Sequence, residues 1–195
     1  MIANESGVQP NDFSKVWRRS FGVSPPLGHV LRHEHSNVWT RFHALPESKR
    51  YAESDEDNGT IVERANILAT ECFGEQATIW IAAGYLSDFA LEKDDLPVRM
   101  NMSKALVWID PDEELEDQSE MSFYVSRLEW ERSSLDRLFL EIAEDQERAI
   151  LFSEDTQTVL APYDGGFDII SFEPEKIVQL EKNYRMWMSS RSDKL

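Results

Sequence analysis

Three short clusters in the sequence carry side chains able to do chemistry. The first runs from Arg41 to Tyr51, R-F-H-A-L-P-E-S-K-R-Y, and gathers Arg41, His43, Ser48, Lys49, Arg50 and Tyr51. Arg41 and His43 are two apart, so on an extended chain they share one face, and Pro46 forces a turn able to carry the following residues back across it. Guanidinium, imidazole and hydroxyl groups gathered in this way bind an anion, whether phosphate or carboxylate. In so acidic a protein the simpler use of Arg41, Lys49 and Arg50 is internal, pairing with Asp or Glu from elsewhere in the chain and fixing the loop as scaffold.

The second cluster is P-Y-D-G-G-F-D, Pro162 to Asp168. Asp164-Gly165-Gly166 predicts a tight hairpin in which glycine takes up positive φ. Asp164 and Asp168, four apart, are also an acid/base or ligand pair in search of a third group. With Tyr163 and Asp164 on a turn facing the first cluster, the candidate anion pocket consists of Arg41, His43, Ser48, Lys49, Arg50, Tyr51, Tyr163 and Asp164. The third cluster is H-V-L-R-H-E-H, with His29, His33 and His35. On an extended chain His33 and His35 point the same way and, with Glu34, offer ligands to a divalent metal. No HExxH pattern accompanies them, and surface or packing histidines are the expected reading, with no metal and no cofactor. Nothing matches a G-x-S-x-G elbow, a P-loop or a dinucleotide fingerprint, so no catalytic residue is assigned and binding rather than catalysis is expected. Cys72, the single cysteine, falls on an apolar helical stripe and reads as an inert core thiol.

Charge narrows the partners. The 195 residues hold 20 Lys+Arg against 37 Asp+Glu, a formal charge of -17. Residues 1–50 carry seven basic and four acidic side chains, so the remainder stands at -20. That excess repels phosphate backbones and disfavours nucleic acid. Seven acids crowd the eleven residues from Asp110 to Glu120. Asp112, Glu113, Glu114, Glu116 and Asp117 are therefore the candidate contact surface for a basic protein. No apolar run reaches the ~18 residues of a membrane span, and the first residues lack the basic start and apolar core of a signal peptide. The expected compartment is the cytoplasm.

The elements that must position these groups follow from periodicity. Phe13, Val16, Trp17 and Phe21 predict a short amphipathic helix behind an Asn11-Asp12 cap, stopped by Gly22. Pro25, Pro26 and Gly28 predict a loop, and Val38 to His43 a strand. Residues 46–59 read as turn, before a helix opened by a Thr60/Glu63 capping box and striped by Ile61, Ala65, Leu68, Ala69 and Cys72. Ala77–Ala83 and Ala105–Ile109 are apolar without alternation, as in central strands covered on both faces, with a loop between them. Met121, Phe123 and Val125 predict a strand, and Leu135 to Ala143 a helix. AILF, TVLA and FDII form a meander, followed by a helix opened by Pro174. The order predicts a single α+β domain over residues 1–195, with a mixed or mainly antiparallel sheet, about four helices, and loose ends at 1–10 and 190–195.

The Arg41–Tyr51 stretch and the Pro162–Asp168 turn resemble the R-F-H-x-L-P-x-S-K-R-Y and P-Y-D-G-G-x-D motifs of an uncharacterised bacterial family, a domain of unknown function. The resemblance implies a shared fold over roughly Trp39 to Trp187 and transfers no activity. Two functions remain open at this point. The one expected first is an acidic interaction module, in its sharpest form an immunity-type protein neutralising a basic toxin; the alternative is a small-anion or phosphate-ligand binding domain or enzyme using Arg41, His43, Lys49 and Arg50.

Overall fold

Adjacent residues along the strands face two different cores, and this alternation organises the molecule. The computed structural model describes residues 10–111 and 119–191. The helices are α1 (Pro10–Phe21), α2 (Gly28–Glu34), α3 (Asp55–Phe73), α4 (Leu96–Arg99), α5 (Asp136–Ala143) and α6 (Pro174–Asn183). The strands are β1 (Trp39–His43), β2 (Thr78–Leu86), β3 (Ser103–Ile109), β4 (Glu120–Glu129), β5 (Ala149–Ser153), β6 (Thr158–Tyr163) and β7 (Gly166–Ser171). All seven join one sheet in the order β1-β7-β6-β5-β2-β4-β3, with every pairing antiparallel.

On one face Phe42, Ile79, Ile81, Leu151, Leu160, Phe167 and Ile169 pack against the stripe of α3 and against α5 and α6. On the other, Trp39, Trp80, Ile150, Phe152, Val159 and Ile170 pack against Phe13, Trp17 and Phe21 of α1 and Leu31 of α2. Full burial of each such side chain stabilises the fold by roughly 1.5–3 kcal/mol, so both helical layers are firmly held. Ser14 Oγ donates to the Ala105 carbonyl at 2.7 Å, tying α1 to the far edge strand β3. The sheet thus curls around α1 and α2.

The α+β class, the antiparallel sheet and the terminal meander plus helix match expectation; the number of helices among the described residues is six, not about four. Two of them lie where the sequence predicts loop. Pro25 and Pro26 stand before α2 rather than inside it, where proline costs a helix nothing. α4 is one turn, with Pro97 in its first turn. Helix α3 begins at Asp55, capped by Ser54, whose hydroxyl accepts from the Asp57 amide at 3.2 Å. Thr60 lies a turn inside it and its hydroxyl donates back to the Glu56 carbonyl, so no Thr60/Glu63 box exists. Strand β3 is an edge rather than a central strand, with Val107 and Ile109 49% and 45% exposed and a register shift between Lys104 and Leu106. Residues 1–9 and 192–195, most of the expected loose ends, lie outside the described residues.

Candidate functional site

Strand β1 places Trp39, Arg41 and His43 on the α2 side of the sheet, and β7 sets Asp168 directly opposite Arg41. Arg41 donates through Nε to Asp168 Oδ1 at 2.7 Å and through Nη2 to Oδ2 at 2.8 Å, while Trp39 Nε1 donates to Oδ1 at 2.8 Å. Arg41 and Asp168 are 8% and 3% exposed, so this is a buried, bidentate pair. Burial alone would lower the guanidinium pKa, and the Asp168 contact more than reverses it. The Arg41 guanidinium also lies over the Tyr163 ring, 4.4 Å from its centroid. Burial pushes the Tyr163 hydroxyl up to about 12, so it is a neutral hydrogen-bonding group at any physiological pH.

The turn after β1 carries the next residues. Glu47 and Ser48 both have positive φ, at 55° and 59°, an uncommon conformation for side chains other than glycine. It brings Ser48 Oγ to 3.2 Å from His43 Nε2, with the hydrogen supplied by either atom according to the imidazole tautomer. Lys49 then turns to α3, contacting Asp57 at 2.6 Å and Glu53 at 2.9 Å. Arg50 Nε donates to Asp164 Oδ2 at 2.6 Å, and the Tyr51 hydroxyl donates to the same oxygen at 3.0 Å. The two motifs therefore meet in space.

Tyr163 pairs with Gly166, so Asp164 and Gly165 alone form the hairpin loop. Contrary to the sequence expectation, neither glycine of this turn is at positive φ. Gly166 is needed for closeness: a Cβ there would sit 2.1 Å from the Phe42 carbonyl oxygen. Gly28 does the same for α2, where a Cβ would come within 2.8 Å of the Ala161 Cβ. Helix α2 can thus lie close over β6, which brings His29 and Arg32 to the site. Arg32 Nη1 stops 3.7 Å from Asp168 Oδ2, beyond hydrogen-bond length.

At this end of the sheet, past the start of α2, opens a cleft of about 1090 Å³. Arg41, His43, Ser48, Arg50, Tyr163 and Asp164 of the expected pocket line it; Lys49 and Tyr51 do not and act as supports. Its other lining includes His29, Arg32, Trp108, Asp110 and Arg148, none of which was in the expected pocket. Five arginines (Arg32, Arg41, Arg50, Arg148, Arg191) and five carboxylates (Asp110, Asp145, Glu147, Asp164, Asp168) balance there, whereas the chain as a whole stands at -17. An anion approaching this protein therefore meets less repulsion here than over the surface at large. Burial, then Arg41 and Arg64, lower the pKa of His43; burial, then Arg32 and Arg148, lower that of His29, with Asp110 opposing. Both imidazoles are neutral at neutral pH.

The remaining candidates resolve differently. His33 lies within α2 and His35 caps it, so the two do not share an extended chain. The His35 ring packs edge-on against Phe21 and Phe172. Among the described residues no group of three or more His, Cys, Asp or Glu is placed to hold a metal ion. Cys72 is fully buried, which pushes its thiol up to about 12. Asp112, Glu113, Glu114, Glu116 and Asp117 lie outside the described residues. No described helix is long and apolar enough to cross a membrane.

These features define an α+β domain whose curled antiparallel sheet, with helices on both faces, opens at one end onto an arginine-lined cleft. Residues 27–192 match the family described as a domain of unknown function, DUF3885, and the chain belongs to that family. No curated protein and no solved structure matches it.

Proposed function

We propose that this domain binds a small anionic ligand, carrying a phosphate or a carboxylate, in the cleft at the end of the sheet. The observation that carries the reading is the state of Arg32. It lines an open cavity, and its nearest carboxylate oxygen is 3.7 Å away, so its donors are not consumed by Asp168. Arg41 by contrast is committed to Asp168 through Nε and Nη2, presents its face to Tyr163 and stiffens the wall. Arg50 and Asp164 form a rim pair that an incoming anion can reorganise, since the Arg50 side chain is 66% exposed. Neutral His29 and His43, the Ser48 hydroxyl and the Tyr163 hydroxyl supply further hydrogen bonds around the same space.

Titration calorimetry with inorganic phosphate and with a small dicarboxylate tests this reading. Binding of at least one is expected to weaken tenfold or more in Arg32→Ala, a hydrogen-bonded charge contact contributing about 1.5–3 kcal/mol. The melting temperature of that variant should stay near the wild-type value. Absence of binding by either probe would sink the proposal. The alternative of an acidic interaction module rests on net charge, and no contact surface among the described residues favours it over the cleft.

A further inference from the structure

The cleft is much larger than an oxyanion needs. At about 1090 Å³ it is in the range of cavities that enclose a whole organic ligand. Its lining also changes character along its length. The cations and the Ser48/His43 pair gather where β1, β7 and β6 end, while Leu86, Met121 and Trp108 come from β2, β4 and β3. Met121 is opposite both Leu86 and Trp108 in the ladder, so the three form one continuous apolar row on the cleft side. Leu86 is 50% exposed and Trp108 is half-buried, so this row is accessible to a ligand.

Between the two ends stands β5, with Arg148 just before it and His29 and Arg32 on α2. Strands lie ~4.8 Å apart, which puts Met121 two strands, ~10 Å, from the start of β5. That is the span from an anionic group to the far edge of a ring carried on a short polar spacer. A bare phosphate or carboxylate held by Arg32 leaves the apolar row wet; an anion with a flat apolar body covers it.

We propose, on the basis of the anion-binding reading above, that the ligand is an anion bearing a planar ring, of the nucleoside monophosphate type. Its phosphate lies among Arg32, His29 and Arg148, and its ring lies on Met121 and Leu86 against the Trp108 indole. Contact of a base with an aromatic side chain strengthens binding roughly five- to 150-fold by alanine substitution, comparable with one charged hydrogen bond to the phosphate.

The experiment is calorimetry on the full chain with adenosine 5′-monophosphate, ribose 5-phosphate and inorganic phosphate. The nucleotide is expected to bind at least tenfold more tightly than ribose 5-phosphate. Trp108→Ala should remove most of that margin and leave ribose 5-phosphate affinity unchanged, whereas Arg32→Ala should weaken all three. If the nucleotide and ribose 5-phosphate bind equally in the wild-type chain, the ring proposal fails while the anion reading stands. If none of the three binds, the ring proposal fails, and the anion reading fails with it when the small dicarboxylate does not bind either. The wild-type comparison does not depend on how well either variant folds.

Discussion

Two arginine–aspartate pairs join the same two motifs and live in different environments. Arg41–Asp168 is buried against the sheet in the wall of the cleft, braced by Trp39 and Tyr163. Arg50–Asp164 sits at the mouth of the cleft, with an arginine side chain 66% exposed. In sequence they are equivalent: an arginine from the first cluster, an aspartate from the second. Burial separates them into wall and rim, because a charge removed from water must be matched where it stands, while an exposed one is shared with solvent.

The largest effect should come from breaking the wall. Arg41→Ala leaves Asp168 buried with only Trp39 Nε1 within hydrogen-bond reach and Arg32 at 3.7 Å. It is expected to destabilise the domain by about 3–5 kcal/mol. Chemical denaturation measures this, and a loss under 1 kcal/mol would show that the pair is as replaceable as a surface one. Next comes Gly166→Ala, whose new Cβ would meet the Phe42 carbonyl at 2.1 Å, a backbone atom with no flexible end to yield. The β1–β7 ladder must spread, costing about 1–3 kcal/mol. Gly59→Ala, with nothing within 4 Å of its added Cβ, is the matched control and should not lower the melting temperature.

These positions also mark how far the sequence could be read. Every strand is foreshadowed by alternation or by an apolar run, because the sheet is covered on both faces through its middle. The edge character of β3 is not, since Ala105–Ile109 has the composition of a buried strand and only the partner order shows that no described strand pairs beyond it. Asp55, Glu56 and Asp57 in the first turn of α3 look like loop until Ser54 is seen capping them and Lys49 reaching Asp57. Of the site, Arg41 and His43 share a face as their spacing dictates. Arg32 was hidden because its relation to His29, three residues away, has meaning only on a helix, and Pro25-Pro26-Gly28 argues against one. Arg148 and Trp108 enter through strand order, which no local pattern contains.

At the rim the expected effect is small for stability and specific for binding. Arg50→Ala should change the melting temperature no more than an ordinary surface substitution, since exposed pairs contribute little and are screened by salt. It should nevertheless alter phosphate affinity by more than its effect on stability suggests, because Arg50 borders the opening. Equal and large stability losses for Arg50→Ala and Arg41→Ala in parallel melts would erase the distinction between wall and rim.

The smallest effect sharpens the same contrast through pH. His29 and His43 have folded-state pKa values below 6.5, set first by burial and then by neighbouring arginines. Above pH 6.5 both are neutral in the folded and the unfolded chain, and their contribution to stability is complete. As pH falls below 6.5 the unfolded chain takes up protons first, so stability declines toward the lower folded-state values. A ligand phosphate beside His29 opposes this, since its charge favours the imidazolium. Sulfate, a tetrahedral dianion whose charge is constant over this range, should therefore bind more tightly at pH 6 than at pH 7.5, with proton uptake, and His29→Gln should flatten that dependence. Calorimetry in buffers of different ionisation enthalpy reads the uptake directly. Proton release, or a pH dependence unchanged in His29→Gln, would place the anion away from His29 and return the site to the Arg50 rim.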